Sequence, residues 1–173
     1  LSQNFNIKGI ILSGGPSSVY EKNAPKIDSK ILELNIPILG LCYGHQLIAQ
    51  IVKGKVEPAK CREYGVAEVN IDSPIDVLKG LDKKETVWMS HSDTVLELPS
   101  DFEPLAHTKS CPVAAFKHKI KPIYGMQWHP EVIHTKKGEL MLNNFIFEVC
   151  KCDANWKMED IIAKMVDEVK KDV

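Results

Sequence analysis

The sequence predicts an α/β protein of three layers, with a mainly parallel central sheet that carries added antiparallel strands. Two buried strand patterns near the start are each followed by a helical pattern, over residues 7–35 and 37–52. After residue 54 the pattern changes to short apolar runs in loose alternation, which is typical of antiparallel strands. A length of 173 residues, 44% of them hydrophobic, is enough for one compact domain with a sizeable core.

Composition and charge exclude several classes of protein. The formal net charge is −1, which gives no reason to expect a nucleic-acid or membrane surface. We recognise neither a secretory signal nor an apolar run long enough to span a bilayer. The five cysteines are odd in number and irregularly spaced, which indicates a reducing, cytoplasmic setting rather than a disulfide framework. Cys150 and Cys152 are expected at the end of a helix, and no metal site is predicted.

The first strand is expected over Ile7 to Ser13, where it enters the turn Ser13-Gly14-Gly15-Pro16. This turn lacks the spacing of the common phosphate-binding loops. It is therefore either a plain tight turn or a place where two backbone N–H groups can approach a ligand. A helix is expected next, capped by Asn23, with Pro25 in its first turn, and ending near Asn35.

The second strand ends at a cysteine. The apolar run that starts at Pro37 leads to Cys42, which lies between Gly40 and Gly44, and a helical pattern follows at once. A strand, a sharp turn and a helix around a nucleophilic residue form a nucleophile elbow, here with sulfur. The N-terminal end of a helix is expected to favour the thiolate. The alternative is a buried structural cysteine.

The elements after residue 54 are expected to extend this core. The predicted strands cover residues 55–72, 86–89, 113–116 and 122–128, with Ser90-His91-Ser92-Asp93 following the second of them. A helix is predicted over residues 138–150. Residues 153–173 predict an amphipathic helix, so we place the domain boundary after residue 152. This helix is a connector to a second domain or, alternatively, packs on its own domain.

The other informative segment contains His129, Pro130 and Glu131 at the end of a predicted strand. Proline biases the preceding residue toward an extended backbone, in which residues two apart face the same side. Glu131 can therefore accept the Nδ1 hydrogen of His129 and leave Nε2 outward as a base. Together with Cys42, the two residues are candidates for a Cys-His-Glu triad.

Gly40-Leu41-Cys42-Tyr43-Gly44-His45-Gln46, taken with His129-Pro130-Glu131, resembles the class I, triad-type glutamine amidotransferases. Within that family, further segments resemble the glutaminase parts of GMP synthases. These segments are Ser13 to Tyr20, Arg62 to Gly65, Trp88 to Asp93, His129 to Val132, His134-Thr135 and Asn144-Phe145. The resemblance covers nearly the whole chain. It implies a flavodoxin-like fold, in which the family has one further strand and helix before the position of Leu1.

The resemblance also implies a role for particular residues. Cys42 would attack the side-chain amide of glutamine, while His129, oriented by Glu131, would transfer protons. The oxyanion would be held by backbone N–H groups of Gly15 and Tyr43. The residues expected to bind the substrate are Gly14, Gln46, Ser90, Ser92 and Asp93. The family usually has glycine at the position of Ser92, so an unusual backbone angle there would alter this contact.

The expected partners follow from the same resemblance. The substrate would be L-glutamine, and the glutaminase reaction would need no cofactor. ATP and magnesium would belong to an ATP pyrophosphatase domain, in the same chain or in a separate subunit, that aminates XMP to GMP. A homodimer of the full-length protein is also implied. Two alternatives stay open: a γ-glutamyl hydrolase or cysteine peptidase of related fold, and an amidotransferase-like interaction module without activity.

Overall fold

A computed structural model describes residues 6–155 and residue 170 of the chain. Its strands form one seven-stranded mixed sheet in the order β1-β2-β7-β6-β5-β3-β4. In chain order the strands are β1 (Ile10–Leu12), β2 (Ile38–Leu41), β3 (Lys55–Ile71), β4 (Lys84–Glu97), β5 (Phe102–His107), β6 (Ala115–His118) and β7 (Ile123–Met126). The helices are α1 (Tyr43–Ile51) and α2 (Gly138–Asn143), with a π-helical turn over Asn144–Val149. None of the helices in this described part combines the length and apolar character needed to cross a membrane.

The predicted α/β fold class is confirmed, but the share of parallel strands is smaller than expected. Strand β2 pairs in parallel with both β1 and β7, and every residue of β2 and β7 is buried. The other pairs in the described sheet are antiparallel. The parallel part therefore consists of the three strands β1, β2 and β7. The long strands β3 and β4 pair mainly with each other.

Helices cover both faces of the parallel strands. Leu39 and Leu41 of β2 belong to one core cluster, together with Phe145 of the π-helical turn. Ile38 belongs to a second cluster, together with Ile48 of α1. Because successive side chains of a strand point to opposite faces, this alternation places one apolar layer on each side of the sheet. The three-layer arrangement positions the carboxyl end of β2 between two packed cores.

The helix expected to start at Asn23 is much shorter than predicted. A 3₁₀ helix covers Ser29–Glu33 only, and Asp28 is its N-cap, accepting a hydrogen bond from the Lys30 N–H at 2.9 Å. Because an N-cap carboxylate satisfies a free N–H of the first turn, the helix starts there rather than at Asn23. Asn35, with φ of 53°, ends the segment in the left-handed region.

The strands predicted over residues 55–72 and 86–89 are also different in extent. They form a 17-residue strand and a 14-residue strand that pair antiparallel along most of their length. The pairing is irregular between Pro58 and Glu63, which breaks the alternation that a sequence pattern depends on. Residues 90–93 consequently lie inside β4 and do not follow it. Strand β5, which contains Pro104, was not predicted.

The C-terminal predictions are tested only in part. The helix expected over residues 138–150 is present as α2 and the π-helical turn, and Cys150 is its C-cap, as expected. The amphipathic helix predicted over residues 153–173, and with it the boundary after residue 152, lies almost wholly outside the described residues. Both stay predictions.

Candidate active site

Cys42 is the residue at which β2 ends and α1 begins. Its backbone adopts φ of 51° and ψ of −101°, a strained conformation for a residue other than glycine. The turn is held on both sides: the Cys42 N–H donates to the Met126 carbonyl of β7 at 2.8 Å, and the Gln46 N–H donates to the Cys42 carbonyl at 3.2 Å. This is the strand-turn-helix geometry of a nucleophile elbow, as the sequence predicted.

The two glycines of the elbow, Gly40 and Gly44, let the start of α1 lie close to β1 and β2, and neither is needed for a special backbone angle. A Cβ on Gly44 would overlap the backbone carbonyl of Leu12 in β1. A Cβ on Gly40 would lie 2.5 Å from the carbonyl carbon of Gly44. Neither glycine has a positive φ. A side chain at either position would therefore push α1 away from the sheet and displace Cys42.

His129 lies just beyond the end of β7, and its imidazole contacts a carboxylate. Its Nδ1 is 2.7 Å from Oε1 of Glu131. This contact favours the tautomer in which Nδ1 carries the hydrogen and Nε2 is free to accept a proton. The side chain of His129 is 17% exposed, against 45% for Glu131. The carboxylate therefore lies behind the ring, on the solvent side.

Cys42 and His129 meet at Gly14. A Cβ placed on Gly14 would lie 3.0 Å from His129 Cε1 and 3.7 Å from Cys42 Cβ. Both side chains therefore pack against the backbone of the same glycine in the turn after β1. A Cβ on the next residue, Gly15, would meet the ring of Tyr43 at 3.4 Å. The turn thus brings together the two residues expected to form an oxyanion hole.

A cavity of about 420 Å³ opens beside these residues. It is lined by most of the predicted site residues and by four others. The lining residues are Gly15, Pro16, Ser17, Cys42, Tyr43, Gln46, Tyr64, Ser90, His91, Ser92, Asp93 and His129. Of the predicted residues, Gly14 and Glu131 do not line the cavity and lie behind Cys42 and His129 instead. The volume suits a small ligand such as an amino acid.

The predicted substrate-binding residue Gln46 is 4% exposed and largely committed to the protein. Its Nε2 donates to the Asp93 carbonyl at 3.0 Å and to Oε1 of Gln127 at 3.1 Å. The residue also lines the cavity, so the Gln46 side chain borders the space beside Cys42. The Nε2 of Gln127 in turn lies 3.8 Å from the sulfur of Cys42. Sequence reasoning missed Gln127, although its position two residues before His129 was a usable signal.

The strand segment that contains Ser90, Ser92 and Asp93 forms one wall of the cavity. The carbonyl of Ser90 lies 3.5 Å from the sulfur of Cys42. The buried carboxylate of Asp93 accepts hydrogen bonds from the hydroxyl groups of Ser18 and Tyr20, the latter at 2.7 Å. Ser92 is not one of the described residues with a positive φ, so its backbone needs no glycine.

The electrostatics of Cys42 differ from the sequence expectation. Burial raises the pKa of the Cys42 thiol to about 11, and the Glu131 carboxylate acts in the same direction. The Tyr43 N–H and the Gln127 amide lower the pKa but do not offset the loss of hydration. The expected shift toward the thiolate at the start of α1 is therefore wrong. The sulfur is protonated at neutral pH and needs a base.

His45 lies in the first turn of α1 but does not face solvent. It is completely buried and stacks against Phe116, with ring centroids 4.7 Å apart. Burial lowers the pKa of His45 to about 3, helped by the proximity of His91. A Cβ on Gly125 of β7 would lie 2.7 Å from Nδ1 of His45, so the ring lies directly against that strand. His45 is a neutral packing residue beneath the elbow.

Comparisons with known proteins give the family context. The family model for class-I glutamine amidotransferase matches residues 1–149. The chain is 51% identical over 163 residues to the glutamine-hydrolyzing GMP synthase of Caldanaerobacter subterraneus and 49% identical over 166 residues to that of Caldicellulosiruptor saccharolyticus. These alignments cover 94% and 96% of this chain but 32% of each relative, so the chain spans about a third of the length of the curated relatives it matches.

Solved structures agree with the observed fold. One of them, a GMP synthase component from Thermoplasma acidophilum, is 38% identical, with a TM-score of 0.73, over 83% of this chain and 73% of the other. A glutamine amidotransferase from Thermotoga maritima superposes with a TM-score of 0.64 over 84% of this chain and 66% of the other. At 24% identity, that second likeness concerns the fold alone.

Proposed function

Because the chain belongs to the class I glutamine amidotransferase family, we propose that it hydrolyses L-glutamine through Cys42, His129 and Glu131. The observation that carries the proposal is the meeting of Cys42 and His129 against Gly14 at the edge of one cavity. The 2.7 Å contact between His129 Nδ1 and Glu131 supports the assignment of His129 as the base.

The first half of the reaction forms a thioester. His129 Nε2 takes the proton of the Cys42 thiol, and the sulfur attacks the side-chain carbonyl carbon of glutamine. A base in contact is needed because the pKa of Cys42 is raised to about 11 by burial. His129 then gives that proton to the departing nitrogen, so the C–N bond breaks and ammonia leaves.

The second half of the reaction repeats these proton transfers with water in place of the thiol. His129 removes a proton from water, the resulting hydroxide attacks the thioester, and glutamate leaves with Cys42 restored as a thiol. In both halves the negative charge forms on the former amide oxygen. Backbone N–H groups of Gly15 and Tyr43 are the proposed donors to that oxyanion, and each such donor is worth about 3 kcal/mol.

The remaining cavity residues are proposed to hold the amino-acid part of glutamine. The side chain of Gln46 and the β4 segment with Ser90, Ser92 and Asp93 supply polar groups beside Cys42. Gly14 allows the close approach of the two catalytic side chains. A cavity of about 420 Å³ has room for a free amino acid such as glutamine.

The ammonia is proposed to serve the amination of XMP to GMP by an ATP pyrophosphatase part, in the same polypeptide or in a separate subunit. The support is the identity of 51% and 49% with GMP synthases that are about three times longer than the matched segment. Any need for ATP and magnesium would lie in that synthetase part. Homodimerisation of the complete protein and a cytoplasmic location also stay proposals.

The central test is Cys42→Ala. This variant should lose glutamine hydrolysis, while GMP synthesis from added ammonia by the complete enzyme should survive. Normal glutaminase turnover by the variant would refute the mechanism. A clear preference for γ-glutamyl peptides over glutamine would instead favour a hydrolase or peptidase. Failure of a glutamine-mimicking electrophile to label Cys42, even with the synthetase part present, would favour an interaction module.

A further inference from the structure

The hydroxyl of Thr135 joins the His129 segment to strand β4. Thr135 is 4% exposed, and its Oγ1 accepts a hydrogen bond from the Trp88 N–H at 3.0 Å. The same hydroxyl donates to the backbone carbonyl of His129 at 2.6 Å. The His129 N–H donates to the Trp88 carbonyl at 3.0 Å. Both backbone polar groups of His129 are therefore tied to one residue of β4, one directly and one through Thr135.

Strand β4 is also in contact with the nucleophile. Ser90, two residues after Trp88, has its carbonyl 3.5 Å from the sulfur of Cys42. Because the backbone between residues 88 and 90 is a regular part of β4, the two contacts are held at a fixed separation. Strand β4 thus contacts both His129 and Cys42 and fixes their relative position together with β7, whose Met126 carbonyl accepts from the Cys42 N–H.

Two residues before His129, the Gln127 N–H donates to the Ala114 carbonyl at 2.8 Å and holds the start of the His129 segment. Residues 127–137 lie outside the helices and strands of the described chain, and Pro130 has no N–H to donate. The Lys136 N–H donates to the Thr86 carbonyl at 3.2 Å, and His134 stacks on Trp88 with ring centroids 4.6 Å apart. These contacts hold the far end of the segment. Near His129 itself, the Thr135 hydroxyl is the side-chain group that fixes the backbone.

We propose that Thr135 is a positioning residue for the glutaminase reaction, whose hydroxyl fixes the His129 backbone on β4 so that the imidazole stays within reach of Cys42. The inference rests on the proposed function, since it assigns His129 as the proton carrier. Removing the hydroxyl leaves the partly buried Trp88 N–H and the His129 carbonyl without that partner. The segment then relaxes, and small displacements of a catalytic group have large effects on rate.

The test compares Thr135→Val with Thr135→Ser in the purified protein. Valine keeps the shape of threonine without its hydroxyl, and we expect kcat for glutamine to fall about 10- to 100-fold with KM within about twofold. Serine retains the hydroxyl and should restore kcat to within about threefold. Thr94→Val is the matched control, because Thr94 is a buried residue of β4 whose hydroxyl makes no hydrogen bond to the His129 segment or to Cys42 among the described residues. It should leave kcat unchanged.

The outcomes separate this inference from the proposed function. An unsubstituted protein that neither turns over glutamine nor is labelled at Cys42 would overturn both. An active unsubstituted protein with a folded and equally active Thr135→Val would overturn the inference alone, as would a loss expressed in KM. A serine variant as impaired as the valine variant would also overturn it. If valine prevents folding, Thr135→Ala, which leaves room for a bridging water, should give an intermediate kcat, and full activity would refute the role.

Discussion

Gly14→Ala should disturb the proposed catalytic pair without disturbing the fold. The new Cβ would lie 3.0 Å from Cε1 of His129 but 3.7 Å from Cβ of Cys42. Carbon atoms pack best at about 3.5–4.0 Å, so the contact with Cys42 is ordinary and the contact with His129 is too close. The imidazole, with its side chain 17% exposed, has room to move and should withdraw by about half an ångström.

The expected loss follows from that displacement. A misplacement of about 1 Å at a catalytic group can cost about 100-fold in rate, so half of it should cost about tenfold. A tenfold loss in kcat/KM corresponds to about 1.4 kcal/mol of transition-state stabilisation. Gly14 has no positive φ, so alanine adds no backbone strain and the melting temperature should change little.

The assay is steady-state glutamine hydrolysis, with thermal unfolding measured on the same samples. Gly15→Ala is the comparison, since its Cβ would meet Tyr43 Cγ at 3.4 Å and keeps the backbone N–H. It should lose less activity than Gly14→Ala. A folded Gly14→Ala variant with wild-type kcat/KM, or the reverse order of the two variants, would refute the reasoning about where Cys42 and His129 meet.

Three further results are expected. Iodoacetamide at pH 7 should alkylate the exposed Cys61 well before Cys42. The alkylation rate of Cys42 should keep rising toward pH 11, because burial raises the pKa of this thiol to about 11. A rate that reaches a plateau below pH 8 would contradict this. Burial lowers the pKa of His45 to about 3, so between pH 6.5 and about pH 3 the unfolded state binds a proton that the folded state does not. The free energy of unfolding should therefore fall by up to about 1.4 kcal/mol for each unit of pH decrease in that window. His45→Leu should flatten that slope in urea unfolding, and an unchanged slope would refute the assignment. Gly138→Ala should destabilise by about 1–3 kcal/mol, because its Cβ would overlap the Pro130 carbonyl, and an unchanged melting temperature would exclude this close contact.

The parts of the fold that sequence reasoning predicted best are those fixed by local chemistry. The elbow at Cys42 could be predicted because the preceding strand is apolar at every position and two glycines mark the sharp turn. The pairing of His129 with Glu131 could be predicted because the two residues are only two positions apart, although Pro130 and Glu131 lie in a turn and not in the expected extended segment. In both cases the residues that decide the geometry are neighbours in the chain.

The features that sequence reasoning missed depend on distant partners. The continuation of β4 through residues 90–93 is decided by pairing with β3, including Glu63 with His91 and Tyr64 with Ser90. The burial of His45 depends on the close approach of Gly125 in β7. The raised pKa of Cys42 reflects the packing of the whole cavity around the sulfur. A helical or alternating pattern of apolar residues gives no information about these long-range contacts.

The position of β7 in the sheet has a consequence for biosynthesis. Strand β7 is the last strand that the described residues contribute, yet it lies between β2 and β6 and joins the parallel and antiparallel parts. A nascent chain therefore exposes Cys42 long before the strand that leads to His129 has been translated. Until that insertion closes the sheet, the thiol lacks His129, its proposed base, so under the proposed mechanism an incompletely synthesised polypeptide would not hydrolyse glutamine on the ribosome.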